Sequence, residues 1–398
     1  HTIRKALIRM VPIVVSRSLC ILLCICLSSC SWDDAMYMDA SVFYREVSHV
    51  VSSPADVIHN TDVMRNKFKT LGTIKSIKKW KEMTTLVERV SNITDDAAVT
   101  ISVKATLGDL MLSMRGPSKK EKEKQVKHRI HSMLAELKKP VVIVALVDQN
   151  WGFMSTYVPN RTAQTINMTN HLRLHHSSYF AVRSFLDSDK IIALFVNAHV
   201  DERFGVHPKI LSIPLGIRNS KIYAAMRKLP PVKEKTRLLV INNSGWRWRS
   251  QINRAVISAF NYTIRNEYNL RTPQATWQST IRSSKFVLCP SGFSMDSFRI
   301  WETLLLGSIP VVESNPPGMD RIYSNLPVLV VRNFSVVTPA FLEKAYPCFV
   351  DNAHLYKYRH LTASYWIELT RNVSKSGSIE EVLIEHPFRN KYCDFLDY

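Results

Sequence analysis

Short, mostly apolar runs alternate with amphipathic stretches between residues 140 and 371 of the chain. The runs lie at residues 141–147, 191–196, 211–215, 237–241, 285–288, 309–312 and 328–331. Runs of this length that are rich in Val, Ile and Leu are typical of strands buried on both faces of a parallel sheet. Helical patterns lie at residues 249–260 and 297–306, and another begins at residue 361. The alternation predicts an α/β fold with mostly parallel sheets in two Rossmann-like, doubly wound halves.

Changes in composition divide the chain further. Residues 218–236 are polar and basic and contain Pro230-Pro231, so we interpret them as the connection between the halves. The region before residue 140 has no recognisable chemical motif, but a charge-rich helix is predicted at residues 118–139. The predicted segments are an N-terminal signal, a partly helical stem, a first half, a second half and a helical tail, at residues 1–30, 31–139, 140–232, 233–360 and 361–398.

The N-terminal segment has the pattern of a targeting signal. Three basic residues, Arg4, Lys5 and Arg9, precede an apolar run at residues 19–27. This pattern is typical of a cleaved secretory signal. Taken over residues 7–27, the same segment is long enough to span a membrane as a type II signal anchor, although it then contains Arg17. Both interpretations stay open, and a bacterial lipoprotein box at residues 27–30 is a less favoured third.

Sequons and cysteines agree with a secretory route. The N-x-[ST] pattern occurs at Asn92, Asn160, Asn167, Asn242, Asn261, Asn333 and Asn372. Three cysteines, Cys289, Cys348 and Cys393, lie outside the N-terminal region, and they allow one disulfide of undetermined pairing with one thiol left over. We therefore expect a lumenal protein of the endoplasmic reticulum or Golgi, held by a single-pass type II anchor or, alternatively, secreted.

The net charge narrows the function classes less than its size suggests. Lys and Arg number 53 against 33 Asp and Glu, a formal charge of +20. A basic balance is compatible with nucleic acid, acidic glycans or anionic substrates. The charge is spread along the chain, however, and no nucleic-acid-binding motif is present, so no nucleic-acid partner is expected.

Residues 284–313 hold the most informative pattern in the chain: a strand, a tight loop, a helix, a break at Gly307 and a second strand. Ser294 and Asp296 are both suited to capping the helix that begins near residue 297. A helix N-terminus beside a Ser/Gly loop presents unpaired N–H groups to an anion such as a diphosphate. Arg299 and Glu302 lie at i, i+3 on one helix face, where a cation suits phosphate and a carboxylate suits ribose hydroxyls. The alternative for this pair is a surface ion pair.

The same segment contains three motifs, which are SKFVLCPSG at residues 284–292, SFRIWE at residues 297–302 and GSIPVV at residues 307–312. In these motifs and their spacing it resembles the exostosin-like family of GT-B-type glycosyltransferases. The resemblance implies a GT-B architecture, with two Rossmann-like domains facing a cleft, an acceptor side at residues 140–232 and a donor side at residues 233–360. It further implies that Glu302 holds the ribose of a nucleotide-sugar and that Ser297 and Arg299 lie at its diphosphate.

The loop departs from the family pattern at one position. The family often has Pro-Arg-Gly where this chain has Pro290-Ser291-Gly292. We expect Ser291 and Gly292 to border the diphosphate all the same. The charge of the absent arginine must then come from another residue, and the candidates are Arg247, Arg249, Arg282 and Lys285. Arg247 and Arg249 follow the strand at residues 237–241, at a position where an α/β fold commonly meets phosphate.

The predicted function is transfer of a sugar from a UDP-sugar to a glycan or glycoprotein acceptor. Asp148 and His199 each follow a buried strand of the first half and are candidates for the catalytic base, with structural roles as the alternative. No tightly bound cofactor is expected, and no motif predicts a divalent cation. Besides donor and acceptor, the membrane is an expected partner through the N-terminal segment. A catalytically inactive GT-B-fold, lectin-like protein that binds sugar is the alternative.

Overall fold

The computed structural model describes a defined set of residues. They are 76–77, 99–103, 128, 132, 134–135, 137, 139–145, 183, 185–197, 207–217, 220–229, 232, 234–243, 247–267, 273–291, 296–314, 318–387 and 389–395. The predicted signal at residues 1–30 lies outside this set. In the described part, no helix is long and apolar enough to cross a membrane.

The first sheet has five parallel strands, hydrogen-bonded in chain order. They are β1 (Ser76–Ile77), β2 (Val99–Val103), β3 (Val141–Ala145), β4 (Ile191–Asn197) and β5 (Ile210–Ile213). The runs that predicted β3, β4 and β5 are confirmed as strands. The sequence pattern did not predict β1 and β2, which lie in the region interpreted as a stem. The alternation of apolar and polar residues in Val99-Thr100-Ile101-Ser102-Val103 is the signal by which β2 was detectable.

The second sheet has four parallel strands, also in chain order. They are β6 (Arg237–Ile241), β7 (Ser284–Leu288), β8 (Ile309–Glu313) and β9 (Leu329–Val331). All four were predicted to within two residues at each end. Because parallel neighbours require crossovers, the described part is an α/β fold consistent with Rossmann-like sheets. The reversal of strand order that defines double winding does not occur among the described strands.

Eight helices are described over their whole length, and residues 128, 132, 134–135, 183 and 185–186 are helical as well. The eight helices are α1 (Ser220–Arg227), α2 (Arg247–Ala259), α3 (Gln274–Arg282), α4 (Phe298–Leu305), α5 (Gly318–Tyr323), α6 (Pro339–Asp351), α7 (Ala363–Ser376) and α8 (Glu380–Glu385). Single 3-10 turns lie at Phe334–Val336, Ala353–Leu355 and Tyr358–Leu361. Helix α1 falls within the predicted connection, whose last residues are anchored: the buried Lys235 ammonium donates to the carbonyls of Arg282 and Gly307 at 2.8 and 2.7 Å.

Helix α7 returns to the first sheet, although the second sheet precedes it in the chain. Its residues Trp366 and Leu369 pack in one apolar cluster with Val142 and Val144 of β3 and with Phe195 of β4. Trp366 is fully buried there. The predicted helix at the start of the tail is therefore confirmed, and its apolar face covers the first sheet.

The disulfide that the sequence allowed joins Cys348 of α6 to Cys393 near the C-terminus, with a Cα–Cα distance of 6.1 Å. Cys289 is the remaining thiol and is buried at the end of β7. The core around it belongs to the second sheet, where Phe286 and Trp301 are fully buried. This core supports the loop after β7 and the start of α4.

Candidate functional site

The loop after β7 leads into α4 without a side-chain cap. Ser297 occupies the N-cap position in an extended conformation, and its side chain caps no backbone N–H. The prediction that Asp296 is the N-cap residue is wrong, because Ser297 occupies that position, and the Asp296 carboxylate accepts hydrogen bonds from the N–H groups of Leu215 and Trp301 as well as from the backbone of Ser297. Ser294 and the loop residue Gly292 lie outside the described residues. The N–H of Ile300 donates to the carbonyl of Ser297 at 3.1 Å, so the N–H groups of Phe298 and Arg299 are the ones that, by their position in the first turn of α4, have no intrahelical acceptor.

Two polar groups at this helix start are buried without a hydrogen-bond partner in the described part of the chain. They are the Oγ of Ser297 and the Nη1 of Arg299. Buried polar atoms are nearly always paired, because an unmet hydrogen bond costs about 1–3 kcal/mol. Both groups donate hydrogen bonds, so together with the helix N–H groups they suit an anionic ligand.

Arg299 is held in place by contacts on two sides. Its guanidinium carbon lies 4.4 Å from the ring centroid of Trp277 on α3, a cation–π contact. Its Nε lies 3.9 Å from Oε2 of Glu302. The two residues therefore form the ion pair of the alternative interpretation, but with side chains only 23% and 8% exposed the pair is largely buried.

Arg249 is a candidate whose side chain contacts the loop after β7, the loop that lacks the arginine of the family pattern. Its Nε donates to the carbonyl of Ser291 at 2.9 Å, and its Nη2 to that of Pro290 at 3.3 Å. Arg249 belongs to the first turn of α2, which follows β6 after a short loop. A positive charge thus stands beside the loop that lacks the family's arginine.

The other basic candidates have different surroundings. Arg282 is buried and donates to the carbonyl of Leu229 at 2.8 Å. The Lys285 ammonium lies 4.5 Å from the ring of Tyr346. Arg247 begins α2, but its side chain lies outside the described residues.

Three of the charged side chains at this site act on the buried thiol of Cys289. Burial raises the pKa of Cys289 to about 12, while the positive charges of Arg299 and Arg249 act to lower it and the carboxylate of Glu302 acts to raise it. All three charged groups are therefore within electrostatic reach of one sulfur atom. Cys289 itself is fully buried and contacts Thr303, with 3.8 Å between Sγ and Oγ1.

Asp296 joins two segments that are distant in the chain, a role that the sequence analysis did not predict. Its carboxylate accepts hydrogen bonds from the Leu215 N–H at 2.7 Å and from the Trp301 indole N–H at 2.8 Å. Burial raises the pKa of Asp296 to about 7, although these hydrogen bonds act to lower it. No sequence pattern near Asp296 indicates this role, because its hydrogen-bond partner Leu215 is 81 positions away in the chain.

The proposed bases Asp148 and His199 lie outside the described residues. The strands that precede them are hydrogen-bonded neighbours, with Ala145 of β3 opposite Val196 of β4. Adjacent parallel strands end at the same sheet edge, where open α/β sheets bind ligands. Among the described residues, no group of three or more His, Cys, Asp or Glu side chains is arranged to hold a metal ion.

A family model matches the segment that contains this site. Residues 249–336 match the RXYLT1 C-terminal domain. That domain is exostosin-related and xylosyltransferase-like, so the match indicates a glycosyltransferase-related family. The matched range begins at Arg249 and includes β7 and α4, with Ser297, Arg299 and Glu302. No curated protein matches the chain.

Proposed function

We propose that the chain is a glycosyltransferase with GT-B architecture that transfers a sugar from a UDP-sugar to a glycan or glycoprotein acceptor. In this proposal it works in the lumen of the endoplasmic reticulum or Golgi, as a single-pass type II membrane protein or a secreted one. The observation that carries the proposal is the start of α4, where the buried donors of Ser297 and Arg299 lack partners in the described part of the chain.

The donor diphosphate is proposed to bind at this helix start. The backbone N–H groups of Phe298 and Arg299 and the hydroxyl of Ser297 donate to phosphate oxygens, and the Arg299 side chain supplies a charge. Arg249 reinforces the charge from the other side of the loop at Ser291. When the sugar leaves, negative charge grows on the diphosphate, and each fixed donor is worth about 3–4 kcal/mol of transition-state stabilisation.

Glu302 is proposed to bind the ribose. It lies three residues beyond Arg299 along α4, slightly less than one helical turn, and its side chain is 8% exposed. A carboxylate accepts hydrogen bonds from two adjacent hydroxyls, which a ribose offers and a phosphate does not. The order along the helix, Ser297 and Arg299 and then Glu302, matches the order diphosphate and then ribose in a nucleotide-sugar.

The acceptor is proposed to meet the sugar at the carboxyl edge of the first sheet. Asp148 or His199, which follow the neighbouring strands β3 and β4, would remove the proton of the attacking hydroxyl. The hydrogen bond between Leu215 and Asp296 and the packing of α7 on the first sheet support a two-domain arrangement in which these groups face each other.

A nucleotide-sugar panel tests the proposal. The purified protein is titrated by calorimetry with UDP- and GDP-sugars, including UDP-xylose, and release of nucleoside diphosphate is measured with and without glycan acceptors. We expect binding and slow hydrolysis with at least one UDP-sugar. Binding without any turnover would identify an inactive sugar-binding protein, and absence of binding by all of them would overturn the proposed site.

A further inference from the structure

Helix α2 ends in a backbone motif that contains one exposed asparagine, Asn261. The N–H of Tyr262 donates to the carbonyl of Ile257 at 3.0 Å, and the N–H of Asn261 donates to that of Ser258 at 2.9 Å. These two bonds form a Schellman motif, in which the residue after the cap adopts the left-handed conformation. Asn261 does so with φ of 49°, and Asn is among the residues that tolerate it best.

The side chains of this turn are open to solvent. Asn261 is exposed, and the neighbouring Tyr262 is 75% exposed, the ring standing clear of the core. Within the described part, no hydrogen bond engages the Asn261 side-chain amide. The hydroxyl of Thr263 donates to the carbonyl of Phe260 at 2.7 Å, which holds the turn closed.

Asn261, Tyr262 and Thr263 together form an N-x-T sequon, and the other described sequons differ from it. Asn242 is buried, with 8% exposure, so a glycan there has no path to solvent. The Oδ1 of Asn333 accepts a hydrogen bond from the N–H of Ser335 at 2.9 Å, so its side chain is already engaged. Asn372 is exposed but lies inside α7, with its sequon partner Ser374 buried.

We propose that Asn261 carries an N-linked glycan. The co-substrate is an oligosaccharide linked to a lipid diphosphate. The amide nitrogen of Asn261 bonds to C1 of the first sugar, the bond between C1 and the diphosphate oxygen breaks with its electron pair leaving on the lipid diphosphate, and one amide proton passes to a base of the transferring enzyme. This inference rests on the lumenal compartment of the proposed function.

The structure also indicates what this glycan covers. A cavity of about 500 Å³ lies beside the turn and is lined by Tyr262 and Thr263, by β6 and by Pro339 of α6. Strand β6 is at the edge of the described second sheet, where Ile241 at its end pairs with Asn266 in a single bridge, and unpaired edge strands promote association between chains. A sugar on Asn261 stands next to this edge, and the ring of Tyr262 offers it an apolar face.

The glycan leaves the candidate donor site open. Arg249 lies in the first turn of α2, and Asn261 follows its last turn. A helix of 13 residues is about 20 Å long, so the glycan and the diphosphate site lie at opposite ends of α2. Glycosylation at Asn261 is therefore compatible with nucleotide binding.

The test expresses the full chain in eukaryotic cells behind a standard cleavable signal peptide, so that entry into the lumen does not depend on its own N-terminus. Peptide mass spectrometry after glycosidase treatment in heavy-oxygen water reads the occupancy of each sequon. We expect Asn261 to be occupied in most molecules and Asn242 to be unoccupied. An unmodified Asn261 beside an appended control sequon that is modified would overturn the inference, whatever the transferase assays give.

Three variants separate glycan from fold. Asn261→Gly removes the acceptor while suiting the left-handed conformation, so the chain should fold and lose one glycan on gels. Thr263→Val should abolish the same modification with Asn261 intact, and Thr263→Ser should restore it. The glycan slows the chain on a gel. The assignment would be contradicted if Thr263→Ser ran as fast as Thr263→Val, or if Asn261→Gly ran as slowly as the wild type. We expect Asn261→Gly to bind UDP-sugar as the wild type does and to aggregate more readily on secretion.

Discussion

The backbone N–H of Leu215 donates a 2.7 Å hydrogen bond to the buried carboxylate of Asp296, which binds the segment after β5 to the residue before α4. The same carboxylate accepts a hydrogen bond from Trp301 of α4 at 2.8 Å, and the hydroxyl of Tyr323 on α5 lies 3.4 Å from it. Helix α5 also contacts β5. One side chain thus joins the first sheet to the helix that begins the candidate donor site.

Replacement of Asp296 by Asn should destabilise the protein and loosen nucleotide binding. In either orientation the amide NH₂ replaces an oxygen that accepts from the Trp301 indole N–H, at 2.8 or 3.0 Å, so two donors then face each other at a cost of about 1–3 kcal/mol. Chemical denaturation and UDP titration measure the two effects. Asp351→Asn, at the exposed end of α6, is the matched control and should change neither. Equal effects of the two variants would refute the linking role of Asp296.

Titration of Asp296 should make the free energy of unfolding depend on pH. Its folded pKa of about 7 lies above the ordinary value of 3.8, so the native state holds a proton that the unfolded state releases. Its contribution is fully present below pH 3.8 and is lost as the pH rises through about 7. The difference in unfolding free energy between wild type and Asp296→Asn should therefore change across this window. A difference independent of pH would show that the pKa of Asp296 is not raised.

Glu302→Ala should weaken UDP binding while leaving the melting temperature near that of the wild type. Loss of charge-assisted hydrogen bonds to two hydroxyls is worth about 1.5–3 kcal/mol, roughly a 10- to 100-fold increase in Kd. Calorimetry with UDP and with inorganic diphosphate measures the change, and only UDP should be affected, because only UDP has a ribose. A large fall in melting temperature instead would identify Glu302 as a structural partner of Arg299.

Arg249→Met should weaken binding of both UDP and inorganic diphosphate. The side chain is fixed at the carbonyls of Ser291 and Pro290, where it contributes charge to the proposed diphosphate site. A charge-assisted contact of this kind is worth about 1.5–3 kcal/mol. Arg254→Met on the exposed side of the same helix is the control for net charge and helix content. Similar Kd values for the two variants would remove Arg249 from the site.

Two stacked histidines should make the protein sensitive to acid. The rings of His360 and His386 are fully buried with centroids 4.7 Å apart. Burial lowers the pKa of His386 to about 4 and that of His360 well below 6.5, and the charges of Arg359 and Lys357 act in the same direction. Below pH 6.5 these two histidines are therefore protonated in the unfolded state while they stay neutral in the native state.

This histidine contribution to stability is present above pH 6.5 and is lost as the pH falls towards about 4. The variant His360→Phe retains an aromatic ring against Tyr365. Its free energy of unfolding should fall less between these pH values than that of the wild type. Urea denaturation at a series of pH values measures it. An unchanged acid slope in this variant would assign the acid sensitivity to other groups.

Reduction of the disulfide between Cys348 and Cys393 should lower stability by about 2–4 kcal/mol, because it closes a loop of 45 residues. The variant Cys348→Ser, Cys393→Ser should melt at the temperature of the reduced wild type. The buried Cys289 should stay unreactive towards an alkylating reagent in the native protein. Rapid alkylation of native Cys289 would show that the core beneath the loop opens.

The sequence by itself determined the secondary structure around the site and its chemical pattern. Seven strands, helices α2, α4 and α7 and the face shared by Arg299 and Glu302 follow from residues close together in the chain, because strand and helix periodicity are local properties. A single disulfide among Cys289, Cys348 and Cys393 was also possible from the sequence. The short strand β1 and the alternating strand β2 were missed, since neither has the continuous apolar run of a central strand.

Only the tertiary structure decided how distant segments meet. Four basic residues were candidates to replace the missing loop arginine, and contacts across 41 and 42 positions distinguish Arg249 from Arg282 and Lys285. Asp296 looked like a helix cap, but a partner 81 positions away holds its carboxylate. Helix α7 looked like a tail, but its apolar face lies on the first sheet. Such pairings depend on how whole sheets and helices pack, which no periodicity within one segment encodes.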